Sequence, residues 1–147
     1  MDREEEAIMA IELRSGVTEI IEITDDMIST LVTTGGYPHP LFQEGWREIG
    51  MRGRPLPGQA VLLLVGGAME RTGKFDHAIA LLGVDDVNFL NAVVAGDSIR
   101  LEWEEIEFLP WKSAGRELLR MKWRVLNQFD ELCMEASSRM LVRVIDK

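Results

Sequence analysis

The segment Gly35-Gly36-Tyr37-Pro38-His39-Pro40-Leu41-Phe42-Gln43-Glu44 concentrates the side chains of this 147-residue chain that are suited to proton transfer. A histidine ordinarily titrates at about pH 6.5 and can take a proton near neutrality, and a phenol can supply one. His39 and Tyr37 are therefore the candidate base and donor. Gly35, Gly36, Pro38 and Pro40 break any helix here, so the two sit on a loop of fixed, irregular backbone. Glu44 closes the segment with a carboxylate that could activate water. Arg52 and Arg54 follow in the loop Arg52-Gly53-Arg54-Pro55-Leu56-Pro57-Gly58, where guanidinium groups could meet phosphates.

The surrounding elements can be read from pattern. Val17 to Ile23 is rich in strand formers, and Thr24-Asp25-Asp26 supplies a cap and first-turn carboxylates for a helix over about 25–32. Gln59 to Arg71 is apolar on every face, which predicts a helix buried on all sides. After Phe75 the chain alternates like a sheet. Ala78–Leu82 and Val87–Leu90 form one strand or two. Ile99, Leu101 and Trp103 share one phase and Ile106 and Phe108 the other, so a bulge is expected at Glu104-Glu105. Leu119 to Val125 and Leu132 to Val144 are the last strands, joined by a hairpin turn at Asn127–Asp130. One apolar helix with long antiparallel strands describes an α+β hot-dog fold, a curved sheet wrapped around a central helix. Its open edge strand predicts a homodimer.

Composition narrows the classes of function. The hydrophobic share of 46% suffices for a core in a single domain over residues 1–147. A formal charge of −9 argues against nucleic acid or an anionic membrane as partner. The acidic start, Met1 to Glu6, does not read as a secretory signal, and the longest apolar run, Ala60 to Met69, is about half a membrane span. A cytoplasmic protein is expected. No phosphate-binding loop, dinucleotide glycine pattern or metal-ligand spacing is present, so neither cofactor nor metal is expected.

Three stretches resemble the MaoC-like dehydratases and (R)-specific enoyl-CoA hydratases of the hot-dog superfamily. Ile23-Thr24-Asp25-Asp26-Met27-Ile28 with Thr34-Gly35-Gly36 is similar to that family's first helix and the Thr-Gly-Asp ending it. Pro57-Gly58 resembles its His-Gly, and Asn91-Ala92-Val93-Val94-Ala95-Gly96-Asp97-Ser98-Ile99 its Pro-Val-x-x-Gly-Asp-Thr-Leu turn. The resemblance implies an acyl thioester on coenzyme A or an acyl carrier protein, lyase chemistry at the α,β-position and a place in fatty-acid metabolism. It also implies that the thioester carbonyl meets Pro57-Gly58-Gln59 at the helix N-terminus, with Phe42 and Glu44 beside the acyl group. The family's catalytic loop reads Asp-x-Asn-Pro-(apolar)-His-x-Asp. Aligned with Tyr37 to Glu44, Tyr37 stands at the catalytic Asp, His39 at the Asn, Phe42 at the catalytic His and Glu44 at the last acid. The usual pair is not retained, so Tyr37 and His39 are the candidate substitutes. Two alternatives stand beside hydration: a non-catalytic thioester-binding or partner subunit, and a thioesterase using Glu44.

Several residues invite plainer readings. His77 is expected as a solvated residue at a strand start, Cys133 as a half-buried thiol on a strand, and Asp97 as a turn former. Glu102, Glu104, Glu105 and Glu107 are expected on one solvated strand face.

Overall fold

The computed structural model describes residues 12–144. Strands β1 (Ser15–Val17) and β2 (Ile21–Glu22) lead into helix α1 (Asp25–Gly35). The Thr24 hydroxyl caps α1 by accepting the Met27 N–H at 3.1 Å, and Asp25 and Asp26 add negative charge to the first turn. Two short 3-10 turns, Pro40–Phe42 and Gly45–Arg47, precede helix α2 (Gly58–Arg71). Four long strands complete the order: β3 (Ala78–Phe89), β4 (Ser98–Pro110), β5 (Arg116–Leu126) and β6 (Leu132–Arg143).

The strands form one antiparallel sheet in the order β1-β4-β5-β6-β3, with β2 also pairing to β4. Alternation places Ile99, Leu101 and Trp103 of β4 with Leu119, Met121, Trp123 and Val125 of β5 on the buried side. They share one core with Val61, Val65 and Met69 of α2 and with Ile28 and Val32 of α1. The expected bulge falls one residue later than its sequence position. Glu105 pairs with Met121 and Glu107 with Arg120, so Ile106 is the extra residue.

Strand β3 is continuous, which settles the choice between one strand and two. Among the described residues it pairs with β6 alone, and it carries three register shifts, including one at Asp85/Asn88 where Asp86 has φ of 52°. Each extra residue reverses the faces of those that follow. Ile79, Leu81, Leu82 and Phe89 are consequently all exposed, and clean alternation is lost.

The structure corrects four expectations. Helix α2 is not covered on every side, because Leu63 is 63% exposed. Glu105 does not share the solvated face of Glu102 and Glu104. Its side chain is fully buried and held by Arg14, whose backbone N–H donates at 2.7 Å and whose guanidinium donates at 2.9–3.2 Å. It continues the inward phase of Leu101 and Trp103. His77 is buried and stacked on Phe75, with ring centroids 6.3 Å apart. Cys133 is fully rather than half buried.

Candidate active site

The loop after α1 is built by its glycines. Gly36 adopts φ of +73°, and its N–H and that of Tyr37 return to Val32 O at 2.9 and 3.0 Å, closing the helix. The Tyr37 ring then folds back over Gly35, where a Cβ would stand only 2.7 Å from it. Tyr37 meets Phe42 edge to face at 5.4 Å between centroids. His39 is exposed and caps the turn Pro40–Phe42, its Nδ1 accepting the Leu41 N–H at 3.0 Å.

The two arginines are engaged differently. Arg54 is a staple: Nε donates to Phe42 O at 2.7 Å and Nη1 to Ser29 Oγ at 2.6 Å, with Asp25 at 3.4 Å. Its side chain is only 13% exposed, so it binds the loop to α1. Arg52 grips the buried Asp97 through two bonds of 2.9 Å, yet half of its side chain faces solvent. Asp97 also accepts the Val94 N–H at 2.9 Å and Gln128 Nε2 at 2.8 Å. Burial acts to raise its pKa, but Arg52, the Val94 amide and Gln128 outweigh that and hold the carboxyl below its ordinary value. The turn-forming role expected of Asp97 is what these bonds describe, and they extend it to three segments of chain.

Helix α2 begins at Gly58 after the buried Pro57, and no side chain caps it. The Ala60 N–H bonds to Pro57 O at 2.9 Å, whereas the Gly58 and Gln59 N–H groups have no partner among the described residues. Both residues line a cleft of about 430 Å³ together with Leu56, Phe89, Val93 and Cys133 among others. Burial pushes the Cys133 thiol above its ordinary pKa, so it meets this cleft as a neutral wall rather than a nucleophile. A smaller cleft of about 220 Å³ shares Asn91 and Ala92 with the first and is bordered by Arg52.

Sequence-predicted residues thus fall into separate groups. Gly58 and Gln59 line the main cleft, with Pro57 buried behind them. Tyr37, His39 and Phe42 do not line it in the single chain. Glu44 lies on the surface, 3.5 Å from Arg47, and borders a third cleft with Arg54 and Trp46. Phe89, Asn91 and Cys133 were not singled out as site residues from sequence. Cys133 is the extra residue of a bulge in β6, where Val125 pairs with Met134 and Leu126 with Leu132, whereas Phe89 ends β3 beyond its three register shifts. Among the described residues no cluster of His, Cys, Asp or Glu is arranged to hold a metal. No helix among them is long and apolar enough to cross a membrane.

Solved structures share this architecture over nearly the whole chain. A monoamine oxidase regulatory protein from Archaeoglobus superposes with a TM-score of 0.82 at 22% identity, covering 94% of each chain. A Mycobacterium tuberculosis protein with a double hot-dog fold gives 0.78 at 13% identity over 95% of this chain and 44% of its own. This chain has the hot-dog fold. A MaoC-like dehydratase from Rhodospirillum rubrum shares it at a TM-score of 0.81 and 14% identity, over 95% of this chain and 98% of that one. Hydroxyacyl dehydratases and (R)-hydratases are also among the hot-dog structures that match. No protein-family model matches the sequence, and no curated protein does either.

Proposed function

We propose that this hot-dog protein binds an acyl thioester, carried on coenzyme A or an acyl carrier protein, and hydrates or dehydrates it at the α,β-position. The observation that carries the reading is the cleft at the start of α2, where the Gly58 and Gln59 N–H groups have no partner among the described residues. Negative charge gathers on a thioester oxygen when water adds at the β-carbon or a proton leaves the α-carbon. Two backbone donors at the positive end of a helix dipole stabilise that charge. The fold shared with a MaoC-like dehydratase supports the same substrate class.

Proton transfer falls to His39 and Tyr37. While Nδ1 accepts the Leu41 N–H, a neutral His39 ring carries its proton on Nε2 and acts there as a donor. To serve as the base it must release that contact, which costs about 0.5–1.5 kcal/mol. The reading also requires a second copy. The edge of β3 that no described strand pairs, with Leu81 exposed along it, is the proposed seam, and the same loop of the second copy would complete the cleft. Arg52 is the arginine proposed to meet a phosphate of the carrier arm. Arg54 is committed to the protein, and Phe42 and Glu44 contribute through the loop it staples.

One observation favours a second reading, a thioester-binding subunit without turnover: His39 is engaged as a cap, and neither it nor Tyr37 lines the cleft. Purified protein should be given crotonyl-CoA and longer 2-enoyl-CoAs. Hydration, read as loss of enoyl absorbance and abolished in His39→Ala, is the expected result. Thermal stabilisation by these ligands without turnover at any chain length would replace catalysis with binding. Release of free thiol would point instead to hydrolysis with Glu44 as base.

A further inference from the structure

The ring of Phe89 occupies the ground directly against Gly58. A Cβ placed on Gly58 would stand 2.8–2.9 Å from Phe89 Cζ, Cε1 and Cε2, far inside normal contact. The absent side chain of residue 58 is therefore what lets the ring lie on the first turn of α2, beside the amides proposed to receive the carbonyl. Phe89 is the last residue of β3 and lines the same cleft.

Its backbone and its ring are held very differently. Phe89 pairs with Met134, and the next residue, Leu90, donates its N–H to Cys133 O at 2.8 Å. Asn91 Nδ2 fixes the following turn by donating to Leu132 O at 2.8 Å. The side chain, by contrast, is 50% exposed. Only the far edge of the ring touches Gly58, so rotation about its side-chain bonds lifts it away without moving a strand or opening the core. Such rotamer exchange is fast compared with turnover.

We infer that Phe89 is a gate on the thioester site: its ring lies over the N-terminal turn of α2 in the resting protein and must rotate away before an acyl-thioester carbonyl reaches the Gly58 and Gln59 N–H groups. This inference rests on the proposed thioester reading. A ligand that binds only the open rotamer has its apparent affinity reduced by the fraction of molecules that are open. A ring closed about nine-tenths of the time therefore costs about tenfold. Gating also sets selectivity, because a carbonyl on a slender, flexible acyl arm passes a half-rotated ring more readily than one on a bulky or branched arm.

Binding of crotonyl-CoA to wild type, Phe89→Leu and Phe89→Ala, measured by calorimetry on the full chain, tests it, with the melting temperature of each variant confirming folding. The expected order is Ala tightest, Leu intermediate and Phe weakest, with a gain of about tenfold for Ala and a smaller handicap for branched acyl-CoAs. If wild type binds and the substitutions leave affinity unchanged or weaken it, the ring is a wall of the site and the gate is refuted while the thioester reading stands. If none of the three proteins binds any acyl-CoA, the thioester reading fails and takes the gate with it.

Discussion

Asp97 ties together three segments distant in sequence, and its removal should be felt in proportion to which of its bonds are buried. Oδ1 accepts from Arg52 Nη1 and Gln128 Nε2; Oδ2 accepts from Arg52 Nη2 and the Val94 N–H. In Asp97→Asn, one side of the new amide must face two donors. The less costly orientation turns the NH₂ toward Arg52 Nη1 and Gln128, which are exposed enough to bond water, and keeps the oxygen on the buried Val94 amide. Lost charge and two solvent-screened bonds then cost about 1–2 kcal/mol. Asp97→Ala also strands the Val94 N–H, whose residue is 2% exposed. That adds about 1–3 kcal/mol. For a chain of this size the melting temperature should fall by roughly 3–6 °C for Asn and roughly 6–15 °C for Ala. Thermal unfolding followed by tryptophan fluorescence measures both. Acid supplies a further control. A carboxyl held below its ordinary pKa contributes stability that is present above the unfolded value, about 3.9, and lost as pH falls through the folded value. The advantage of wild type over Asp97→Asn should therefore shrink below about pH 4. An Ala variant no less stable than the Asn variant would refute the role given to the Val94 bond.

Two more stability predictions follow from the buried charges. His77 titrates below its ordinary value because burial, then the nearby Arg14, disfavours its charged form. Its neutral form thus contributes stability that is full above the unfolded pKa of about 6.5 and lost as pH falls through the lower folded value. Melting curves between pH 7.5 and pH 5, in buffers chosen at roughly half-unit steps, should show wild type losing stability while His77→Phe stays flatter. Arg14→Met leaves Glu105 buried without its cation and should cost about 2–4 kcal/mol in urea unfolding, with Glu105→Gln restoring part of the loss in the double variant.

The fold was legible wherever one physical cause dominated. The apolar run Gln59 to Arg71 is longer than a strand usually is, which favours a helix over the competing strand, and the phase slip near Glu105 marks a bulge, placed within one residue of its position. Misreadings arose where a partner lies far away in sequence. Glu105 sits in the inward phase of β4, but its carboxylate suggested solvent, and nothing local announced that Arg14 would neutralise it. His77 is a different case, its stacking partner Phe75 being near in sequence but its burial set by the whole sheet. Of the candidate site, the helix terminus was readable from Pro57-Gly58. The Phe89 ring upon it was not, because three register shifts in β3 decide where that residue points.

Those shifts bear on what the edge of β3 offers to another chain. A flat, evenly pleated edge strand is a template that a neighbour can extend indefinitely, the geometry from which fibres grow. On β3 the irregularities coil the edge and rotate successive residues out of register. Such an edge offers no straight ladder for further chains to extend. The strand that looks least regular in the protein is thus the one whose irregularity protects it from runaway polymerisation at high concentration.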